Sequence, residues 1–303
     1  MSQVIDLTLE QNTTDNPVPS SVTYPAPLPS LRARRITTIS ITSQTTKLPR
    51  QDHRTLLKKQ AWLQANTIDI PPNSLSLPSS TNGTPNPIAA TLVFAQHEAG
   101  TAVCISPSGI LLTCSHCVAE NTTHLSWSQT HWLIFSSGDV VAAKTIAWDA
   151  RRDLALLVII KSSSRATVFP YASLSTTPPR ISSRLLCIGH PAAEDLEAPL
   201  PGTKTGYDTL VLSTGTFRGL AEQDPHDNEE IGALMHSCWT YWGHSGAPLV
   251  DRRSGGLVGL HSSWDDETGM RRGIPLEALD GFLGQVVRKY EAVTPYGWVW
   301  FVR

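Results

Sequence analysis

No apolar run in this 303-residue chain approaches the length of a membrane span, so no membrane partner is expected. No excess of either charge is present: 24 Lys and Arg face 26 Asp and Glu, a formal net charge of −2, which excludes wholesale nucleic-acid binding. The N-terminus, Met1-Ser2-Gln3-Val4-Ile5-Asp6-Leu7, lacks the basic region and apolar core of a secretory leader. The expected location is therefore the nucleus or cytoplasm, not the secretory route. Cysteine is scarce and odd in number, at five, which suits free thiols in a reducing compartment better than a disulfide framework. Cys114 and Cys117 have zinc-knuckle spacing, but no second pair follows at suitable spacing, so no metal site is expected. No glycine-rich phosphate loop occurs either, and no cofactor is implied.

What is present changes character along the chain. Residues 1–50 are rich in Ser, Thr, Pro, Asn and Gln and poor in aromatics, the composition of a disordered tail. Within them Ile36–Thr42 is β-prone and able to dock as a strand. Residues 51–67, around Leu56-Leu57-Lys58-Lys59-Gln60-Ala61-Trp62-Leu63, read as a short helix, and the proline-rich stretch 68–88 reads as a linker. Over 89–292 the pattern becomes a dense series of short β-type runs closed by one helix. That helix opens at Ile274-Pro275 and carries Leu276, Leu279, Phe282, Leu283, Val286, Val287 and Tyr290 at helical spacing. This is an all-β fold, a barrel or sandwich, with an aromatic C-terminal tail at 293–303.

Three segments carry chemistry. Gly243-His244-Ser245-Gly246-Ala247-Pro248 sets a serine in a turn flexible enough to aim its hydroxyl and two backbone N–H groups, those of Gly243 and Ser245, at one carbonyl carbon. A serine hydroxyl is a weak nucleophile without a base, and the base needs an orienting acid. Leu112-Thr113-Cys114-Ser115-His116-Cys117 ends a strand on a histidine, and Asp153 stands before the apolar run Leu154–Val158, with Asp149 a competitor four residues earlier.

In the order His116, Asp153, Ser245 these segments resemble the trypsin-like serine proteases, over roughly residues 89–290. The resemblance implies a chymotrypsin-like double β-barrel with a C-terminal helix, protein or peptide substrates, and a catalytic triad in the cleft between the barrels. It favours Asp153 over Asp149, because the family places its acid directly before such an apolar run. The chain departs from the family at His244, where secreted members carry an aspartate that pairs with a freed N-terminus. An enzyme whose oxyanion loop is held by other means, and a weakly active or inactive peptide-binding module, are the two resulting expectations. Cys104 and Cys117 flank the histidine hairpin and read as buried small residues in preference to a disulfide pair.

Two more resemblances concern recognition. Thr240, five residues before the serine, and His261, sixteen after it, are similar to the pocket residues of glutamyl endopeptidases and picornaviral proteases, which implies cleavage after Glu or Gln. A structurally bonded histidine is the alternative. In the tail, Val4-Ile5-Asp6-Leu7-Thr8 resembles a SUMO-interacting motif, with Val4, Ile5 and Leu7 as anchors and Asp6 and Glu10 as acids, implying SUMO or sumoylated partners.

Overall fold

The computed structural model describes residues 21–26, 36–38, 45, 48–66, 85–96, 100–165, 168–221, 228 and 232–293. The first element is a two-residue strand, β1 (Thr37–Thr38), followed by α1 (Arg50–Ala65). Six strands then close a ring: β2 (Thr91–Phe94), β3 (Thr101–Ser106), β4 (Ile110–Thr113), β5 (His131–Phe135), β6 (Val140–Asp149) and β7 (Leu154–Ser162). They are ordered β7-β4-β3-β2-β5-β6, with β6 pairing back onto β7. A second closed barrel, ordered β10-β13-β12-β11-β8-β9, comprises β8 (Arg184–Gly189), β9 (Val211–Leu220), β10 (Leu234–His236), β11 (Pro248–Asp251), β12 (Leu257–Trp264) and β13 (Arg271–Pro275). The chain ends its described part in α2 (Leu276–Val293). The double barrel expected from the sequence is thus present.

The first barrel is buried on both faces of most strands, which a strand in a lone barrel would not be. Its outer faces are covered by the two helices and by the N-terminal segment. In α1, Leu56, Lys59, Gln60 and Leu63 form one buried stripe at helical spacing. Leu56 and Leu63 pack in a cluster that also holds Val93 and Ile134 of the first barrel and Leu186, Ile188 and Val250 of the second. The helix therefore seals the seam between the barrels. In α2, Leu279, Phe282, Leu283, Val286 and Tyr290 join the core of the first barrel. Proline ends β13 here instead of opening the helix, which starts one residue later at Leu276.

The expectation of disorder across 1–50 does not hold for its described residues. Val22 is buried, Thr23 forms an antiparallel bridge with Trp148, and Ser21 Oγ donates to Asp149 at 2.8 Å. Polar composition alone misses this, because the segment satisfies a buried carboxylate and covers an apolar strand with few residues. Within the β-prone Ile36–Thr42, Thr37–Thr38 docks as a strand in parallel against Lys161–Ser162 of β7, as its sequence allows. All five cysteines are free thiols, so the Cys104–Cys117 disulfide alternative is excluded; Cys104 is fully buried.

Candidate active site

His116 stands in the turn that follows β4, and Asp153 in the turn between β6 and β7. The antiparallel pairing of β4 with β7, Thr113 opposite Ala155, brings the two turns together. His116 Nδ1 lies 2.9 Å from Asp153 Oδ1 and 3.0 Å from Oδ2. The carboxylate also accepts the His116 backbone N–H at 3.2 Å, the Ser115 hydroxyl at 2.9 Å and the Ser262 hydroxyl at 2.7 Å. With Nδ1 donating to the carboxylate, Nε2 of a neutral ring is the acceptor. Asp153 adopts φ +53, an uncommon conformation for a non-glycine residue, held by its N–H bond to the Ala150 carbonyl. Burial works against its charge, but His116 and the Ser262 hydroxyl outweigh it and hold the carboxyl below its ordinary value.

Asp149 is occupied elsewhere. It accepts the Arg151 and Arg152 backbone N–H groups, and its other oxygen binds the Arg152 guanidinium at 2.7 Å and Ser21. It organises the turn that presents Asp153. For His116, burial disfavours the charged ring, but the neighbouring Cys117 and Asp153 prevail and raise its pKa to about 9. Cys117 is in turn lowered to about 7, first by a hydrogen bond from Cys114 and, against the effect of burial, by the proximity of His116.

Ser245 comes from the second barrel, in the loop between β10 and β11. His116, Asp153, Ser245 and His261 line one cleft of about 510 Å³, with Tyr241, Trp242 and Trp264 on its wall. The Ser245 hydroxyl donates to the Ser262 carbonyl at 3.2 Å. The loop is pinned at several points. Thr101 N–H donates to the Ser245 carbonyl at 2.8 Å, Thr101 Oγ1 to the Gly243 carbonyl at 3.0 Å, and Gly246 N–H to the His261 carbonyl at 2.8 Å. Gly243 needs its missing side chain twice over. Its φ is +91, and a Cβ would sit 2.5 Å from the His190 carbonyl oxygen. Among the described residues, neither the Gly243 nor the Ser245 N–H donates to a protein acceptor.

His244 answers the question its sequence position raises. It is fully buried, its N–H donates to the Tyr241 carbonyl at 3.0 Å, and its Nδ1 meets the Tyr241 N–H at 3.2 Å and carbonyl at 3.1 Å. The Trp239 indole closes on it edge-to-face at 5.4 Å. Burial lowers its pKa to about 4, so the ring is neutral and holds the loop by packing and local hydrogen bonds, with no charge pair.

Thr240, in the loop between β10 and β11, and His261, on β12, are both buried; His261 lines the cleft and Thr240 does not. Sequence reasoning missed the partner of His261: His236, whose Nε2 lies 3.1 Å from His261 Nδ1. Three buried polar atoms in this neighbourhood, Thr240 Oγ1, His244 Nε2 and His236 Nδ1, have no hydrogen-bond partner. Burial drives the pKa of His236 down to about 3 and that of His261 well below its ordinary value, so both rings are neutral. Ser262 was missed too, although it follows His261 directly. Val4, Ile5, Asp6 and Leu7 lie outside the described residues, as does the aromatic tail beyond 293.

Two six-stranded barrels with this cleft between them define the serine-protease architecture. Among solved structures, a serine endoprotease from Yersinia pestis matches with a TM-score of 0.50 and 20% identity over 67% of this chain. The HtrA-type protease AlgW, solved with a decapeptide, matches with a TM-score of 0.46 and 21% identity over 62% of this chain. The matched regions span 65% and 51% of those two chains. No curated protein matches. The sequence profile of the trypsin-like peptidase domain matches residues 100–260, more than half of the chain, and the chain belongs to that family.

Proposed function

We propose that this chain is a serine endopeptidase in which His116 takes the proton of Ser245, Asp153 orients and stabilises the imidazole, and the N–H groups of Gly243 and Ser245 bind the oxyanion. An acyl-enzyme on Ser245 would then be hydrolysed by water. The observation that carries the reading is the Asp153 carboxylate. Besides the His116 ring it receives the His116 N–H and the Ser115 and Ser262 hydroxyls, beside a serine whose loop leaves two N–H groups unpaired among the described residues. Labelling by a fluorophosphonate tests it. Wild type should react and Ser245→Ala should not.

One observation favours the second reading, an inactive peptide-binding module. The Ser245 hydroxyl is bonded to the Ser262 carbonyl in this structure. Intact, folded protein that fails to label across pH 6–10 would establish that reading instead.

We further propose cleavage after Glu or Gln. The support is chemical. Thr240 Oγ1 is a buried hydroxyl without a partner, and His261 enters the cleft as a neutral ring backed by His236. A carboxylate or amide side chain supplies acceptors for such donors. A peptide library cleaved only after Lys or Arg would refute this assignment. The N-terminal segment is proposed to bind SUMO through Val4, Ile5 and Leu7 with Asp6 beside them, placing the enzyme on sumoylated partners in the nucleus or cytoplasm. Its support is the sequence alone. A peptide of residues 1–15 that leaves the strand-edge groove of SUMO unshifted in NMR would end it.

A further inference from the structure

Cys114 and Cys117 bracket His116 in Cys114-Ser115-His116-Cys117, and a second cysteine pair is absent from the sequence nearby. The fold supplies different partners. The Cys117 N–H donates to the Cys114 carbonyl at 3.3 Å, so the tetrapeptide is a turn. Cys114 Sγ donates to the His261 carbonyl at 3.4 Å and Cys117 Sγ to the Ser245 carbonyl at 3.5 Å. The ligand atoms of Cys114, His116 and Asp153 all lie within 4.8 Å of one another.

We propose that Cys114, His116 and Asp153 form a site for a soft divalent cation of the zinc type, and that occupancy of this site and peptidase chemistry exclude each other. A tetrahedral zinc centre with bonds of about 2.0–2.3 Å holds its ligands roughly 3.3–3.8 Å apart. The cluster reaches that spacing by closing about 1 Å at its widest. His116 is half-exposed and ends a turn, so it has room to make the adjustment. One sulfur, one imidazole and one carboxylate select zinc-like ions over Mg²⁺ or Ca²⁺, which prefer all-oxygen shells. The Cys114 thiol releases its proton on binding, so affinity rises with pH. An ion held here ligates the same two side chains whose hydrogen bond orients the base.

The exclusion rests on the peptidase reading, but the site itself does not, and the experiment keeps them apart. Co²⁺ is titrated into the full-length chain, followed by its thiolate-to-metal charge-transfer absorption, and Zn²⁺ is titrated by calorimetry. One equivalent should bind, the band should disappear in Cys114→Ser, and His116→Ala should weaken Zn²⁺ binding at least tenfold. Ser245→Ala should bind like wild type. Zn²⁺ should slow fluorophosphonate labelling at least tenfold, with recovery on chelation. Absence of the thiolate band, or a band unchanged in a Cys114→Ser/Cys117→Ser protein, overturns the site. A site that binds while labelling proceeds unchanged overturns the exclusion. Because His116→Ala replaces a half-exposed side chain, its binding loss reports ligation even where Cys114→Ser disturbs packing.

Discussion

The buried imidazole of His244 is the strut of the nucleophile loop, and Gly189 is the wall it leans on. Gly189 ends β8, and a Cβ there would overlap the ring, lying 2.9 Å from Cγ and 3.0 Å from Nε2. Ordinary carbon contacts begin near 3.5 Å. The ring cannot simply retreat, because Trp239 closes one side at 5.4 Å and His261 lies 6.3 Å away on another. Gly189→Ala must therefore push His244 off its hydrogen bonds to Tyr241, and with it the chain that carries the Gly243 and Ser245 N–H groups. Overpacking of this kind costs about 1–3 kcal/mol, a fall in Tm of about 2–4 °C for each kcal/mol in a domain of this size. Displacing one oxyanion donor costs about 10²–10³ in rate, so labelling should fall at least tenfold even if the shift is partial.

The assay is a double-mutant cycle read by thermal melting and fluorophosphonate labelling. His244→Ala alone leaves a cavity, and Gly189→Ala fills part of it. The pair should therefore be less destabilised than the sum of the single changes by about 1 kcal/mol or more. A Gly189→Ala protein with unchanged Tm and labelling rate would show that His244 does not hold the loop. So would strictly additive effects in the cycle.

In Cys117→Ala the thiolate that helps raise His116 to about 9 is gone, so the acid limb of the labelling–pH profile should move down toward the ordinary histidine value. At pH 7.5 the neutral fraction would rise from about 3%, with Asp153 still favouring the charged ring and solvent screening a half-exposed side chain, so the expected acceleration is about threefold to tenfold. Ser262→Ala removes the 2.7 Å donor to Asp153 and should slow labelling about tenfold while shifting Tm by less than about 3 °C; equal labelling would refute its positioning role. Thr240→Val removes an unpartnered buried hydroxyl, so it should leave the protein as stable or about 1 kcal/mol more stable while lowering kcat/KM after Glu or Gln about tenfold. Lys59 is buried under α1, donates to the Phe94 carbonyl at 2.7 Å, and has its pKa lowered to about 7 by burial. The unfolded chain then binds the extra proton between about pH 7 and 10.5, so stability rises with pH across that window, and Lys59→Met should flatten the slope in denaturant melts.

The parts of the site that were legible in the sequence are those whose chemistry is local. His116 and Asp153 stand beside strand ends and Ser245 in a glycine-flanked loop, each in a short recognisable surround, and all three line one cleft. The parts that were not legible depend on register. His236 lies on β10, a three-residue strand too short and too polar to announce itself, and it meets His261 only because β10 and β12 both flank β13 in the closed barrel. Ser262 reaches Asp153 across the cleft from the other barrel, 109 residues away, with no periodic signal linking them. The Ser21 contact escaped for the same reason, since a few residues satisfying a distant carboxylate leave no compositional trace, whereas β1 falls within the β-prone Ile36–Thr42.

His244 shows how a correct local reading can still leave the physics open. A histidine in place of an aspartate removes the partner for a freed N-terminus, and the sequence offers no substitute. The structure supplies one that is steric and neutral. A loop held by an ion pair can be released by withdrawing the partner charge. One wedged by a buried ring against a glycine can be released only by repacking Gly189, Trp239 and Tyr241, and burial already keeps that ring uncharged down to about pH 4. Under the proposed mechanism, control then falls more naturally on His116 than on the Ser245 loop. At half-exposed His116, one thiol and a carboxylate come together, where the proposed metal ion or a proton would change the state of the imidazole without disturbing either barrel.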